Sequence, residues 1–355
     1  MAEILAVTFP EVNRIELRDV PVPTPGQGEA LVRVWSSTIC ATDMKILTGK
    51  FPGVRYPHIP GHEWAGEVVE TGPQVSDLAP QDRVGIEVHV GCGHCQRCLE
   101  GMYNLCEHYG ESPEGHAHVG FTIPGGLAEY AVVPRRAMHV LPDGVSYDEG
   151  AFTDNVGIAL WAVERAELRP GERVLVVGPG AIGLLALRIA SLQAGRTVIA
   201  GTREDRLQLA LRFGADAAVD VRGEGDAAAA VREALGGPAD AVIEFAGTAE
   251  AAQLALAVCR RGGRVVLGGS TGLGTTMQVE LSTIVRGHLD VRGSLANPRW
   301  VSRRGLELIR SGVVDVRPLI THHFALQEFE TAWSTFFERK GSAIRVMLHP
   351  TGGAV

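Results

Sequence analysis

Long apolar runs are missing from this sequence. A membrane-crossing helix needs about 18 uninterrupted apolar residues, and the most apolar region, residues 174–190, is broken by Gly178, Pro179, Gly180, Gly183 and Arg188. An excess of positive charge is missing as well: 33 Lys and Arg stand against 41 Asp and Glu, a formal net charge of −8, with no basic run. That argues against a nucleic-acid or anionic-membrane partner, since both require a basic surface. A secretory leader is not expected, because Glu3 stands where a signal peptide carries cations and the apolar opening stops at Pro10. Repeats and low-complexity tracts are lacking. The alanine-rich stretch 227–230 lies between a helix-capping Asp226 and a stop at Gly236. Cysteine is scarce, six in 355 residues, and comes without a secretion signal. A reducing, cytoplasmic setting is therefore expected, where clustered thiols mean metal.

What is present has two textures. A chain of 355 residues exceeds one ordinary core. The first third carries short β-like runs at 30–36, 65–71 and 129–134, punctuated by Gly and Pro as in an all-β domain. Pro21, Pro23 and Pro25 form an extended connector. From about Val156, continuous apolar runs (173–178, 197–201, 239–247, 263–268) alternate with helical stretches (181–193, 206–213, 249–260). That alternation predicts an α/β doubly wound parallel sheet. After about Asn297 the mixed texture returns. We expect domains at 1–155, 156–297 and 298–355, the sheet domain being inserted between two parts of a β-rich domain.

Gly178-Pro179-Gly180-Ala181-Ile182-Gly183 spells G-x-G-x-x-G. The spelling alone is weak, but here it follows a predicted strand and opens a predicted helix, which a dinucleotide site requires. Gly178 allows the turn, Gly180 the approach of pyrophosphate, and Gly183 close helix packing, while the helix N-terminus at Ala181 and Ile182 attracts the phosphates. The competing reading is a glycine-rich turn in another doubly wound fold. At the end of the next strand, an acid selects NAD and an Arg selects NADP. Here that position is Gly201, followed by Thr202 and Arg203. Gly201 leaves room for a phosphate, and Thr202 and Arg203 can donate to it, so NADP is favoured over NAD. In the alternative, Arg203 is solvated and Glu204 or Asp205 holds the ribose.

Cys92, Cys95, Cys98 and Cys106 give C-x2-C-x2-C-x7-C, the pattern of a closed structural zinc site. Cys259, in a predicted helix, reads as a small core residue. Cys40 sits in Cys40-Ala41-Thr42-Asp43, and Gly61-His62-Glu63 lies some twenty residues further along. Asp154 lies at the expected domain boundary. Each has a bland reading: a core thiol, a loop imidazole, solvated acids. Together, beside a nucleotide domain, they suit a catalytic zinc with one open position.

In the order Cys-x-Thr-Asp, Gly-His-Glu, four-cysteine loop and G-x-G-x-x-G, the chain resembles the zinc-containing medium-chain alcohol dehydrogenase superfamily over essentially its whole length. Within it, it is similar to the branch of threonine, sorbitol and related polyol dehydrogenases. The resemblance implies a Rossmann sheet inserted in a GroES-like catalytic domain. It implies hydride transfer between a secondary alcohol or polyol, or its ketone, and NAD(P), with zinc acting as Lewis acid on the alcohol oxygen. It makes Cys40 and His62 firm ligands, Asp154 the third, and Glu63 a ligand that exchanges with water. Thr42 would relay the proton and Asp43 would orient His62. Many relatives carry His where this chain has Lys45, which must act at a depressed pKa, bind substrate, or stand idle at the surface. His89, in Glu87-Val88-His89, faces substrate or makes a structural hydrogen bond. Residues 115–130, with His116 and His118, border the cleft or form a plain surface loop, the second being preferred. Lys45, His89, His116 and Asn155 hint at a hydroxylated or charged substrate. The alternatives are an L-threonine 3-dehydrogenase-like enzyme, a zinc-free reductase, and a catalytically silent binding protein on the same scaffold. Relatives pair through sheet edges, here 263–268 and 289–294, implying a homodimer or homotetramer.

Overall fold

The structure, a computed structural model, describes residues 2–109, 117–223, 225–269 and 274–352. The chain divides into two compact units, Met1–Asp154 with Asn297–Val355, and Asn155–Ala296. The first unit opens with β1 (Glu3–Thr8), β2 (Glu16–Pro21), β3 (Glu29–Thr38), α1 (Ala41–Leu47), β4 (Glu63–Thr71), β5 (Arg83–Ile86), α2 (Gln96–Leu99), β6 (Tyr130–Pro134), β7 (Met138–Val140) and α3 (Tyr147–Gly150). Helix α4 (Thr153–Arg165) runs across the division. The second unit holds β8 (Arg173–Val177), α5 (Ala181–Ser191), β9 (Arg196–Gly201), α6 (Glu204–Arg212), β10 (Ala217–Asp220), α7 (Ala227–Leu235), β11 (Ala239–Glu244), α8 (Ala249–Val258), β12 (Cys259–Leu267), α9 (Leu281–Gly287) and β13 (Asp290–Gly293). The chain then returns to the first unit with α10 (Arg299–Arg310), β14 (Ile320–Ala325), α11 (Phe329–Phe337) and β15 (Arg345–His349).

Among the described residues, the first unit's main sheet runs β14-β15-β3-β4-β5-β7, with β6 also on β3. On one face of its central strand β3, Ala30, Val32 and Val34 pack with Trp64, Val84 and Ile86 in one core. A second core joins Phe9, Ile39 and Ile46 to Phe329, Val346 and Leu348. The N-terminal and C-terminal parts of this unit therefore share hydrophobic interior. The strand register places Thr38, at the end of β3, opposite Glu63 at the start of β4 on one side and Met347 of β15 on the other.

Among the described residues, the second unit holds a six-stranded sheet in the order β10-β9-β8-β11-β12-β13, parallel at every pairing. Val174, Leu175, Val176 and Val177 are all buried, as expected of a strand covered on both faces. Strand order reverses between β8 and β11, and in such sheets ligands bind outside the carboxyl ends at that switch point. This is the Rossmann arrangement.

Three expectations need correction. Cys259 is not helical: α8 ends at Val258 and Cys259 opens β12, because Gly262 and Gly263 and the run behind them belong to a strand. β12 is not an edge, since β13 pairs along its far side. The described part of 115–130 is not a surface loop: His118, Val119, Phe121, Leu127 and Ala128 are buried. His116 lies outside the described residues. No helix among the described residues is long and apolar enough to cross a membrane.

Candidate active site

Strand β3 delivers the chain to Cys40, the N-cap of α1, whose N–H donates to Asp43 Oδ2 at 2.8 Å. One helical turn thus carries the thiol, Thr42 and Asp43 together, and Cys40 Sγ lies 3.8 Å from Thr42 Oγ1. The pairing of β3 with β4 brings Glu63 opposite Thr38, whose hydroxyl donates a short hydrogen bond to Glu63 Oε2. His62 is held by its predecessor. Gly61 adopts φ +99°, and a Cβ there would lie 2.6 Å from the Leu127 nitrogen, so only glycine lets the 120–127 segment lace onto it. That lacing consists of Gly126 N–H to Gly61 O at 2.9 Å and Leu127 N–H to Pro60 O at 3.0 Å.

As a result the ligand atoms of Cys40, His62 and Glu63 lie within 4.8 Å of one another. His62 points Nδ1 at Asp43 Oδ1, 3.4 Å away, and Nε2 at Glu63 Oε1, 3.7 Å away. A proton kept on Nδ1 by Asp43 leaves the Nε2 lone pair facing the cluster. Asp154 lies outside this tight set but within its field. Burial, against the pull of His62 and with the push of Glu63 and Glu87, raises its pKa to about 7. Its Oδ1 is buried without a hydrogen-bond partner among the described residues. Burial works to lower His62, yet the Cys40 sulfur and the Asp43 carboxylate raise its pKa well above 6.5. A pocket with this much acid, an unmet carboxylate oxygen and a base driven toward its charged form fits a bound cation.

Arg345, at the start of β15, completes the cluster from the far end of the chain, and no motif in the sequence singles it out. It is 6% exposed and its guanidinium lies 3.0 Å from Glu63 Oε1. Burial opposes its charge, while Glu63 and the Cys40 sulfur favour it more strongly. Glu63 is therefore held on one side by Arg345 and on the other by Thr38. The available signal is an arginine leading the apolar run Val346, Met347 and Leu348.

Aromatic and imidazole rings wall one side of the pocket. Phe121 packs on His62 with centroids 4.5 Å apart, and Phe51 packs on Phe121 at 4.6 Å. The His118 Nε2 and His89 Nδ1 share a hydrogen bond at 2.9 Å, and Tyr109 meets the His118 ring edge-on. Behind them His139 Nε2 and Glu87 Oε2 are 2.7 Å apart. Lys45 lies half-buried on α1.

The four cysteines of the 92–106 loop converge independently. Cys92 and Cys98 sulfurs are 3.9 Å apart, and those of Cys95 and Cys106 4.0 Å. A tetrahedral ion with Zn–S bonds of about 2.3 Å requires edges of about 3.8 Å. Backbone N–H groups of Cys95, Cys98 and Cys92 donate to the sulfurs of Cys92, Cys95 and Cys106, which favours thiolate. The set fits a closed zinc site.

In the second unit, Gly178 follows β8 at φ +101°, where a Cβ would fall 2.6 Å from the Ala246 nitrogen beyond β11. The two loops of the switch point touch there. Gly180 has open space where a side chain would stand, and Gly183 brings α5 so close that a Cβ would meet Gly178 O at 1.9 Å. Gly201 does not leave room for a phosphate as expected: its missing side chain accommodates Pro179, whose Cδ would be 2.3 Å away. Thr202 is exposed, and Arg203 caps α6 with its guanidinium Nε 3.4 Å from Asp205 Oδ1.

Two family models match the chain, "Alcohol dehydrogenase GroES-like domain" over residues 26–143 and "Zinc-binding dehydrogenase" over 181–310. A sorbitol dehydrogenase of Arabidopsis thaliana is 34% identical over 98% of this chain and 95% of its own length. This chain belongs to the zinc-containing medium-chain alcohol dehydrogenases. Like them it is an NAD(P)-dependent oxidoreductase acting on CH–OH donors. Another alcohol dehydrogenase relative, the L-threonine 3-dehydrogenase of Aeromonas salmonicida (strain A449), is 33% identical over 92% of this chain and 93% of its own. Among solved structures, one described as a zinc-binding dehydrogenase of Sinorhizobium meliloti 1021, with NADP bound, has a TM-score of 0.91 and 32% identity. The match covers 99% of this chain and all of that one.

Proposed function

We propose that this alcohol dehydrogenase oxidises a secondary hydroxyl of a polyol, or reduces the corresponding ketone, with one catalytic zinc, one structural zinc and NADP. The observation that carries the reading is the convergence of Cys40, His62 and Glu63 on a buried point. Cys40, His62, Asp154 and the exchangeable Glu63 would hold the catalytic ion, and Cys92, Cys95, Cys98 and Cys106 the structural one. When bound, the catalytic zinc supplies Lewis acidity to the substrate oxygen, and the nicotinamide supplies or takes the hydride.

The chain's own residues do the rest. Asp43 keeps the His62 proton at Nδ1. Thr42 Oγ1, beside Cys40, receives the proton from the substrate hydroxyl and passes it outward, toward the turn of α1 that carries Lys45. Arg345 and Thr38 hold Glu63 in place at the cluster, and Arg345 offsets the acid charge there. Phe51 and Phe121 exclude water from one face of His62, while His89 and His118 offer polar contacts to a hydroxylated substrate. Gly178, Gly180, Ala181, Ile182 and Gly183 would cradle the pyrophosphate. The preference for NADP rests on Thr202 and Arg203, and on Arg222, which lies just past the neighbouring strand β10, paired with Asp220. The NADP bound by the Sinorhizobium relative is consistent with it.

A second reading, a β-hydroxy amino acid as substrate, draws on the threonine dehydrogenase relative and on the half-buried cation Lys45. The GroES-like unit would be catalytic and the sheet unit nucleotide-binding, in a homodimer or homotetramer. The test is zinc content measured together with a spectrophotometric screen of polyols, cyclitols and L-threonine with NADP⁺ and NAD⁺. Polyol turnover that is faster with NADP⁺ and lost with the zinc is expected. Turnover of threonine alone moves the assignment to the second reading, and full turnover by metal-free protein overturns both.

A further inference from the structure

The first unit contains another set of metal-type ligands, far from the others in sequence and unused by the reaction. We propose that Asp148 on α3, His323 on β14 and His349 at the end of β15 form a third divalent-metal site, which staples the C-terminal strands to α3. This inference is independent of the polyol reading.

The ligand atoms of the three residues lie within 4.8 Å of one another. His323 Nδ1 is 3.0 Å from His349 Nε2 and 3.9 Å from Asp148 Oδ2. Around a tetrahedral ion with bonds of about 2.0–2.2 Å, neighbouring ligand atoms are separated by about 3.3–3.6 Å. The two imidazole nitrogens need to part by about 0.3–0.6 Å and the His323–Asp148 pair to close by about as much, while the third pair, His349 and Asp148, is within 4.8 Å. The residue that must turn is His323, on the edge strand of the sheet, with 46% of its side chain exposed.

Two of the three ligands are already oriented by hydrogen bonds, as metal ligands are. His349 Nδ1–H donates to the Trp35 carbonyl at 3.3 Å, which fixes the tautomer and turns the Nε2 lone pair toward His323. Ser36 Oγ–H donates to Asp148 Oδ1 at 2.5 Å, leaving Oδ2 for an ion. Both contacts come from adjacent residues of β3, so a single central strand aims both groups. The Asp148 oxygens stand 3.8 and 3.9 Å from the imidazole nitrogens, beyond hydrogen-bond reach, so the carboxylate bonds to neither ring.

Two imidazoles and one carboxylate suit Zn²⁺ and its borderline neighbours Ni²⁺ and Co²⁺ rather than Mg²⁺ or Ca²⁺. With His323 at the surface, water fills the remaining positions. The ligands come from residues 148, 323 and 349, so they are gathered only in the folded chain, and binding there raises stability.

The experiment compares the intact protein, its other metals in place, with His323→Ala and the near-isosteric Asp148→Asn after equilibration with Zn²⁺ or Ni²⁺. Bound metal is counted by mass spectrometry and Tm is measured with and without added metal. His94→Ala serves as the control, because His94, His108 and Cys92 make another group of possible ligands beside the four-cysteine loop. We expect one metal equivalent fewer in His323→Ala and in Asp148→Asn than in the parent, and no change in His94→Ala. Added metal should raise the Tm of the parent by roughly 5 °C at about a hundredfold excess over the dissociation constant, and leave His323→Ala unmoved. Equal metal counts in parent and both variants overturn the proposal, as does a Tm response that survives both substitutions. Because only the difference between parent and variant is read, the result does not depend on how many ions the other two sites hold.

Discussion

Cys92, Cys95, Cys98 and Cys106 are drawn from one loop, its ends 14 residues apart, and their sulfurs are gathered by short-range N–H donors from the same loop. Cys40, His62, Glu63 and Asp154 come from α1, a glycine turn, β4 and α4, and a guanidinium 282 residues from Glu63 balances them. The first set offers four like donors and no vacancy. The second offers a thiol, an imidazole and carboxylates, with Asp43 beside the imidazole, Arg345 beside Glu63, and Phe121 and Phe51 packed against the ring. A closed site needs only local chain geometry, whereas a reactive one needs the whole unit to be folded.

Four experiments break or sharpen that contrast. The largest effect is expected from Cys40→Ser, which should lower kcat/KM on the order of a thousandfold or more, the scale of losing several kcal/mol of charge stabilisation. Its circular dichroism and Tm should stay close to the parent; an unfolded Cys40→Ser would show that both sites are structural. Cys106→Ser should do the reverse. Tm should fall by roughly 10 °C or more, while the fraction that remains folded turns over substrate normally. Loss of activity without loss of stability would erase the distinction. Asp43→Asn, which keeps the shape but weakens the hold on His62 Nδ1, should reduce affinity for the catalytic zinc by about 10–100-fold. Metal content at the four-cysteine loop should be unaffected, as measured by competition with a chromogenic chelator. The mildest test is timing. During dialysis against a chelator, activity should vanish while the zinc of the four-cysteine loop remains, because an ion with an open position exchanges before one enclosed by four thiolates. Simultaneous loss would mean the two ions are equally accessible.

The same contrast governs what is legible in the letters. The four-cysteine loop and the turn from Gly178 to Gly183 are short patterns whose spacing carries their meaning. The parallel sheet shows itself through continuous apolar strands such as the one ending at Val177. By contrast, Gly201 reads as space for a ligand, and only the fold reveals that Pro179 occupies that space. His118 lies in a stretch with no periodicity. It is buried because the glycines of 120–126 lace against Gly61, a contact between segments about sixty residues apart. Cys259 reads as helical because the apolar residues before it are helical, yet the strand pairing with β11 claims it.

By itself the sequence determined the chemistry available: thiols in a metal-binding rhythm, a glycine turn between strand and helix, a Cys-x-Thr-Asp turn, and an acidic composition without long apolar runs. These are properties of neighbours along the chain, set by backbone freedom and donor type. The tertiary structure alone decided which distant groups meet. The order of strands brings β15 beside β3 and so seats Arg345 against Glu63, and His349 against Asp148 and His323. Such meetings depend on which sheet edges pair to bury the apolar residues, and no spacing within the chain encodes them.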